Sequence, residues 1–161
     1  MKNNWILQTG GKYDWNIYEE DILKYTLDIK VRYNILKAHL NFYKEIEGKD
    51  EIILKLTCFY FLCYEKMKII DSKLKSKIEL KKVKGKYCLI IDDKDIVEVK
   101  LLGFPYRKKV GEMYINAKRV AEITYSFISK KHFKIVFDEK DDLNVFGVFL
   151  LLTYVFNNGA D

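Results

Sequence analysis

A strict alternation of apolar and polar residues from Leu23 to Ile35 constrains the fold more than any other feature of this sequence. Every odd position in the segment is apolar, and every position between them is polar or charged. Successive side chains of a strand point to opposite faces, whereas a helix face repeats every three to four residues. The segment therefore predicts a β-strand with one buried face and one solvated face.

Turn residues separate further short apolar segments and extend this strand pattern along the chain. Gly10-Gly11, Lys84-Gly85-Lys86 and Asn116-Ala117-Lys118 are typical of hairpin turns. Aromatic residues make up 15% of the chain, and rings pack well on a pleated surface. Roughly a dozen strands at about ten-residue spacing indicate a mainly β protein, an antiparallel barrel or sandwich. The other predicted strands are Trp5–Thr9, Tyr13–Glu19, Ile52–Cys63, Ile78–Val83, Tyr87–Ile91, Ile96–Leu102, Glu112–Ile115, Val120–Tyr125 and Phe133–Phe137.

The character of the sequence changes at its C-terminal end. Asp141-Asp142 can cap a helix start, Leu143–Phe156 is almost wholly apolar, and Asn157-Asn158-Gly159 can cap a helix end. A helix that is apolar on all sides has to be surrounded by protein. The segment therefore predicts a buried helix, and a central pair of strands is the alternative.

Many antiparallel strands followed by one apolar helix form an unusual order, which resembles that of the tubby C-terminal-like superfamily. This superfamily includes the LURP-one-related and phospholipid scramblase-like proteins. Lys12–Tyr18 and Gly111–Ile123 look like its strand segments, and Lys134–Asp138, leading into the apolar helix, looks like its closing pattern. The resemblance implies a single domain over residues 1–161, a closed antiparallel barrel of about twelve strands around a C-terminal central hydrophobic helix. Closing the sheet would also remove its edges.

The functional residues of that superfamily do not carry over to this chain. Its phosphoinositide-binding basic pair matches no position here, so no binding residue is assigned from the resemblance. The calcium-binding and membrane-spanning end of the scramblase-like members also has no counterpart in the sequence. The resemblance therefore implies a fold and a ligand class. The missing scramblase-like end argues against lipid translocation.

The sequence contains no recognisable motif for nucleotide, metal or hydrolase chemistry. His39 and His132 are isolated, as structural or surface histidines usually are. Asp92, Asp93 and Asp95 offer oxygen ligands for a hard cation, but their position between two apolar segments favours a hairpin turn. We therefore predict no enzyme activity, no cofactor and no metal.

The cysteines and the apolar runs indicate the compartment. Cys58, Cys63 and Cys88 form no CxxC pair and lie in apolar runs, as expected of reduced, buried thiols. No signal peptide is visible, and the longest apolar run, Val145–Phe156, is shorter than the ~20 residues of a membrane-spanning helix. We expect a cytoplasmic protein without a transmembrane segment, able to bind peripherally at a membrane.

A concentration of lysines between Lys66 and Lys86 is the strongest functional signal. Nine lysines stand there against Asp71 and Glu79, so the segment carries a charge of +7 and the whole chain +6. Alternation would place several of these lysines beside Glu79 on one strand face, where they present a positive field to phosphates. Lys73, Lys75, Lys77 and Lys81 are predicted to share that face, and with Lys82 and Lys84 they form the candidate ligand-binding site.

This charge pattern is compatible with more than one function. The leading hypothesis is a non-enzymatic binding domain that engages anionic phospholipid headgroups, the ligand class that the resemblance suggests. The alternative is a nucleic-acid-binding or protein-interaction domain, with nucleic acid disfavoured because most aromatics fall at apolar positions. The lysines can also form a solvated face that blocks edge pairing, or reflect an AT-rich genome. A second basic group, Arg107-Lys108-Lys109, follows Pro105.

Overall fold

Twelve β-strands and one α-helix make up the described part of the chain. The computed structural model describes residues 2–9, 14–32, 37–47, 49–61, 64–72, 75–84, 86–102, 109–126 and 132–157. The helix, α1, covers Asn144–Asn157. The strands are β1 (Asn3–Thr9), β2 (Trp15–Glu19), β3 (Ile22–Arg32), β4 (Lys37–Ile46), β5 (Lys49–Phe61), β6 (Tyr64–Ser72), β7 (Ile78–Val83), β8 (Lys86–Ile91), β9 (Asp95–Leu101), β10 (Lys109–Ile115), β11 (Lys118–Ser126) and β12 (His132–Phe137).

All twelve strands belong to one antiparallel sheet with the order β6-β5-β4-β3-β2-β1-β12-β11-β10-β9-β8-β7. Strands β1 to β6 follow one another as hairpins, and so do strands β7 to β12. The first and the last strand join these two halves in the middle of the sheet, where Asn3 lies opposite Phe137. The prediction of a mainly β, antiparallel protein is confirmed.

The prediction of a closed barrel is wrong. In the described residues β6 pairs with β5 and β7 pairs with β8, while β6 and β7 stand at the two ends of the strand order, so the sheet is open. Strand β7 has only six residues, and its last three are exposed. Residues 75 and 76, which precede β7, form a bend.

The C-terminal helix is confirmed, displaced by one residue from the predicted Leu143–Phe156, and the alternative of two strands is wrong. Its start is capped as the sequence indicates, because the backbone N–H of Leu143 donates to Asp141 Oδ1 at 2.8 Å. The residues after 157, which include Gly159, lie outside the described part of the chain. No helix among the described residues is long and apolar enough to cross a membrane.

The apolar face of the sheet packs on α1 and forms one core. Rings of Trp5 and Tyr25 stack at 5.6 Å, those of Tyr25 and Phe42 stack at 5.4 Å, and Phe42 lies 5.5 Å from Phe149 on the helix. Side chains on all sides of α1 are buried. These are Val145, Phe146, Val148, Phe149, Leu150, Leu151, Leu152, Thr153 and Val155.

Antiparallel order sorts the turns to two opposite ends of the molecule. The turn at Lys84 and the turn at Asp92–Lys94 lie at opposite ends of β8. Asn116 donates its backbone N–H to Ile96 O at 2.9 Å, which places the β10–β11 turn beside the start of β9. Asp138 donates to Val120 O, which places the end of β12 and the start of α1 at that same end. We call this the helix-start end, and the end with Lys84 the hairpin end.

Candidate anion-binding site

The β7–β8 hairpin carries most of the candidate lysines that the structure describes. The two strands pair in regular register from Ile78 opposite Ile91 to Val83 opposite Lys86. Leu89 and Ile91 are buried in the core and hold the base of the hairpin. Lys84 has a φ of 49°, the left-handed conformation that a tight hairpin turn requires. The predicted hairpin is therefore confirmed, and its turn projects beyond the core.

Three exposed lysines and one exposed apolar residue lie at this turn. Lys82, Lys84 and Lys86 are exposed, and Val83 between them is 50% exposed. The Nζ atom of Lys82 lies 5.2 Å from the ring centre of Tyr87, the residue opposite it on β8. Among the described residues no carboxylate lies within ion-pair distance of these three amines. We call Lys82, Val83, Lys84 and Lys86 the basic tip.

Two other candidate lysines are paired with carboxylates. Lys77 Nζ lies 2.8 Å from Asp93 Oδ2, and this contact raises the pKa of Lys77 and lowers the pKa of Asp93. The backbone N–H of Lys77 also donates to Asp92 Oδ1 at 2.7 Å, which holds the segment at the helix-start end. Lys81 Nζ lies 3.3 Å from Glu79 Oε2. These pairs reduce the positive charge that both lysines offer to a ligand.

The predicted single row of lysines is not present on one strand face. The strand begins at Ile78, so Lys75 and Lys77 precede it at the helix-start end. Lys81 and Lys82 are neighbours in a strand and project to opposite faces. Lys73 lies outside the described residues. Only Lys82 and Lys84 of the six candidates belong to the basic tip.

Only one residue of the second basic group, Arg107-Lys108-Lys109, belongs to the described part of the chain. Arg107 and Lys108 lie outside the described residues. Lys109 is paired twice, at 2.9 Å with Glu112 Oε1 and at 3.3 Å with Glu122 Oε2. It therefore has a structural role in linking β10 to β11.

A groove that the sequence did not reveal begins beside the basic tip. It has a volume of about 320 Å³, and Lys86, Tyr87, Lys100 and Tyr114 line it, together with Glu98. Lys100 is exposed, and no ion pair to it is present among the described residues. Its polar position in β9 was visible in the sequence, but only the pairing of β8, β9 and β10 brings it to the hairpin. The groove is therefore lined by two lysines, Lys86 of the basic tip and Lys100 of β9.

The described histidine, cysteine and aspartate residues that the sequence singled out make contacts that indicate structural roles. His39 Nδ1 lies 3.2 Å from the buried Thr57 Oγ1. Cys88 is a buried free thiol, and burial raises its pKa, so the reactive thiolate is disfavoured. Asp92 and Asp93 form the predicted turn between β8 and β9. Among the described residues no three His, Cys, Asp or Glu side chains are arranged to hold a metal ion.

Comparisons with protein-family models, with curated proteins and with solved structures find no match for this chain. The resemblance to the tubby C-terminal-like superfamily therefore stays a prediction. The described lysines and their contacts are what any functional proposal has to rest on.

Proposed function

We propose that this chain is a non-enzymatic binding domain that engages anionic phospholipid headgroups through its basic tip, as a cytoplasmic protein peripheral at a membrane. The observation that carries the proposal is that Lys82, Lys84 and Lys86 are all exposed at the same turn as the exposed Val83. Three amines without carboxylate partners in the described residues offer their full charge to phosphates. The tubby-like resemblance supports the choice of lipid among anionic ligands.

The energetics of such a tip suit reversible binding at a charged surface. Each lysine near an anionic membrane contributes about 1 kcal/mol. Val83 can enter the boundary between headgroups and acyl chains, and burial of its side chain adds about 1.5–3 kcal/mol at most. The sum is modest, so we expect binding that falls steeply as salt screens the amines.

The lack of exposed aromatic side chains among the described residues favours lipid over nucleic acid. Single-stranded nucleic acids are held by bases that stack on aromatic faces. Among the residues whose side chains are described, no Phe, Tyr or Trp is exposed. At the candidate site, Lys82 lies over Tyr87, and the Tyr114 hydroxyl donates to Glu112 Oε2 at 2.7 Å. These rings are therefore poorly placed to accept bases.

Vesicle co-sedimentation tests the proposal. The parent should bind vesicles containing phosphatidylserine and not neutral phosphatidylcholine vesicles, and added salt should weaken the binding. Replacing Lys82, Lys84 and Lys86 together by Gln should remove most of the binding and leave the circular dichroism spectrum unchanged.

A matched control separates the basic tip from net charge. Lys2, Lys94 and Lys134 are exposed away from the tip, and Gln at these three positions removes the same charge. This control should keep most of the binding. Equal loss in both triple variants, or no binding by the parent, would contradict the proposal. Tighter salt-dependent binding to single-stranded DNA or RNA than to vesicles would favour the nucleic-acid alternative.

A further inference from the structure

Strand β7 lies at one end of the strand order and has one unpaired edge. It pairs with β8 along its whole length, from Ile78 opposite Ile91 to Val83 opposite Lys86. On its other side no strand of the described ranges pairs with it. An unpaired edge presents backbone N–H groups and carbonyls on which a further strand can add.

The hydrogen bonds between β7 and β8 show which residues face the unpaired edge. The backbone N–H of Asp92 donates to the carbonyl of Lys77 at 2.8 Å, and these two residues continue the register of the hairpin. Hydrogen-bonded and non-hydrogen-bonded pairs alternate along an antiparallel ladder. The backbone groups of every second residue from Lys77 onwards therefore point to β8. Those of Ile78, Leu80 and Lys82 point away from β8, and we call these three residues the free edge of β7.

Two apolar side chains at the free edge are only partly covered. Ile78 and Leu80 pack against the core but remain partly exposed. Their partners on β8, Ile91 and Leu89, are buried. A strand added at the free edge places its own side chains directly beside Ile78 and Leu80. Apolar residues at those positions would cover the remaining apolar surface, which favours binding.

The charge beside the free edge selects an acidic partner. Residues 75–84 contain five lysines and one glutamate, so their charge is +4. Two copies of this edge would bring like charges together, whereas an acidic segment is attracted. Asp93 partly neutralises Lys77 at the helix-start end, so the positive charge is concentrated at the basic tip.

The direction of the added strand follows from the rest of the sheet. All the strand pairs described for the sheet are antiparallel, and antiparallel pairing is slightly more stable per residue than parallel pairing. Strand β7 runs towards the basic tip, so an antiparallel segment begins there. Acidic residues are therefore favoured at the N-terminal end of the segment.

We propose that the free edge of β7 binds an extended segment of a partner protein as an added antiparallel strand. The segment has acidic residues at its N-terminal end, which meet Lys82 and Lys84. Two apolar residues at alternate positions follow, the first opposite Leu80 and the second opposite Ile78. This interaction goes beyond lipid binding by the basic tip, because its hydrogen bonds come from the backbone of β7.

Fluorescence polarisation with the full chain and a labelled peptide tests this inference. The probe is Glu-Glu-Thr-Val-Thr-Val-Thr with both ends blocked. We expect it to bind about tenfold more tightly than the same peptide with Lys in place of both Glu, because opposite charges then face the lysines. No binding of the acidic probe, or equal binding of the two peptides, would overturn the inference.

N-methylation of the probe tests the hydrogen bonds themselves. In the proposed register the N–H groups of the two Val point at β7, and those of the Thr before each Val point away. Methylation of both Val should weaken binding about tenfold or more, and methylation of the two Thr should be tolerated. Equal effects of the two methylations, or a loss only with methylated Thr, would contradict an added antiparallel strand.

Two variants at one position give the matched test on the protein. Leu80→Pro and Leu80→Ala both shorten the side chain, but only proline removes the N–H group at the free edge, and edge strands accept proline there. Leu80→Pro should bind the probe about tenfold more weakly than Leu80→Ala, and equal affinity would overturn the inference. Both variants should still bind phosphatidylserine vesicles, because the basic tip is unchanged, so this test and that of lipid binding can fail separately. If Leu80→Pro does not fold, the methylated peptides decide on the parent chain.

Discussion

Glu112 shows how side chains tie β10 to its neighbours on the solvated face of the sheet. Its carboxylate lies 2.9 Å from Lys109 Nζ, accepts a hydrogen bond from the Tyr114 hydroxyl at 2.7 Å and lies 3.8 Å from Arg119. The hydrogen bond from Lys109 is the largest influence, followed by that from Tyr114. Together they lower the pKa of Glu112 from 4.5 to about 2.

This lowered pKa predicts a dependence of stability on pH. Above pH 4.5 the Glu112 carboxylate is charged in the folded and the unfolded chain, and its stabilising contribution is fully present. Between pH 4.5 and about 2 the unfolded chain takes up the proton first, so this contribution falls. Urea unfolding of the parent and of Glu112→Gln should show a difference that is constant above pH 4.5 and shrinks below it. A difference that stays the same through this window would contradict the assignment.

At the scale of secondary structure, much of the fold can be read from the sequence because turn chemistry and alternation are local. The hairpins at Lys84 and at Asn116 follow from their turn residues, and Asn116 and Ala117 adopt φ values of 52° and 64°. Strands β4 and β6 were missed. In β4 the alternating Ala38, Leu40 and Phe42 are fully buried, so the signal was present and was not assigned to a strand.

The sequence predicts the candidate site only in part, because the ion pairs of its lysines depend on which strands and turns lie side by side. The sequence identified the lysines of β7, but not that Asp93 and Glu79 partly neutralise Lys77 and Lys81. The sequence shows Lys100 at a polar position of a strand, but only the register of β8 to β10 brings it to the groove. Contacts of this kind join residues that are distant in sequence, and composition and periodicity do not encode them.

The contact between α1 and β10 gives a test at the same scale. A Cβ atom on Gly147 would lie 2.7 Å from Met113 Sδ, and Met113 is only 1% exposed. Ala is favoured over Gly inside a helix by up to ~1 kcal/mol, but overpacking a core costs about 1–3 kcal/mol. We expect Gly147→Ala to lower the free energy of unfolding, as measured by urea denaturation.

A double-mutant cycle isolates this contact. Met113→Ala removes the side chain that Gly147 faces, so Gly147→Ala should cost little or become stabilising in that background. An equal cost of Gly147→Ala in both backgrounds would show that the helix does not pack on Met113.

For the whole molecule, burial of the helix and closure of the sheet are separate conditions. The sequence predicts a helix surrounded by protein, and the structure buries residues on all its sides. Side chains alone can cover a helix, whereas a closed barrel also needs hydrogen bonds between β6 and β7. The local sequence around β7, with its lysines and short apolar segment, gives little information on that pairing, and the closed barrel that the resemblance implied is wrong.

Burial on opposite sides of α1 predicts the response to cavity-forming substitutions. Phe149 and Leu151 project to nearly opposite sides of the helix and are 1% and 0% exposed. Phe149→Ala and Leu151→Ala should each lower the free energy of unfolding by about 2–5 kcal/mol. Ile22→Ala, at a side chain that is 59% exposed, is the control and should cost little. A tolerated substitution at either helix position, measured by chemical denaturation, would mean that one side of α1 is not packed.

Quenching of an introduced tryptophan by brominated lipids tests most directly whether the basic tip is the surface that meets the membrane. The native Trp5 and Trp15 are each 5% exposed, so lipid should quench them little. Val83→Trp places an indole at the tip, and Ile22→Trp places one in an exposed position beside the β2–β3 turn, at the helix-start end. With acidic brominated vesicles we predict strong quenching of Val83→Trp and little quenching of Ile22→Trp. Vesicle-bound protein in which Val83→Trp is not quenched, or in which both variants are quenched equally, would contradict this account.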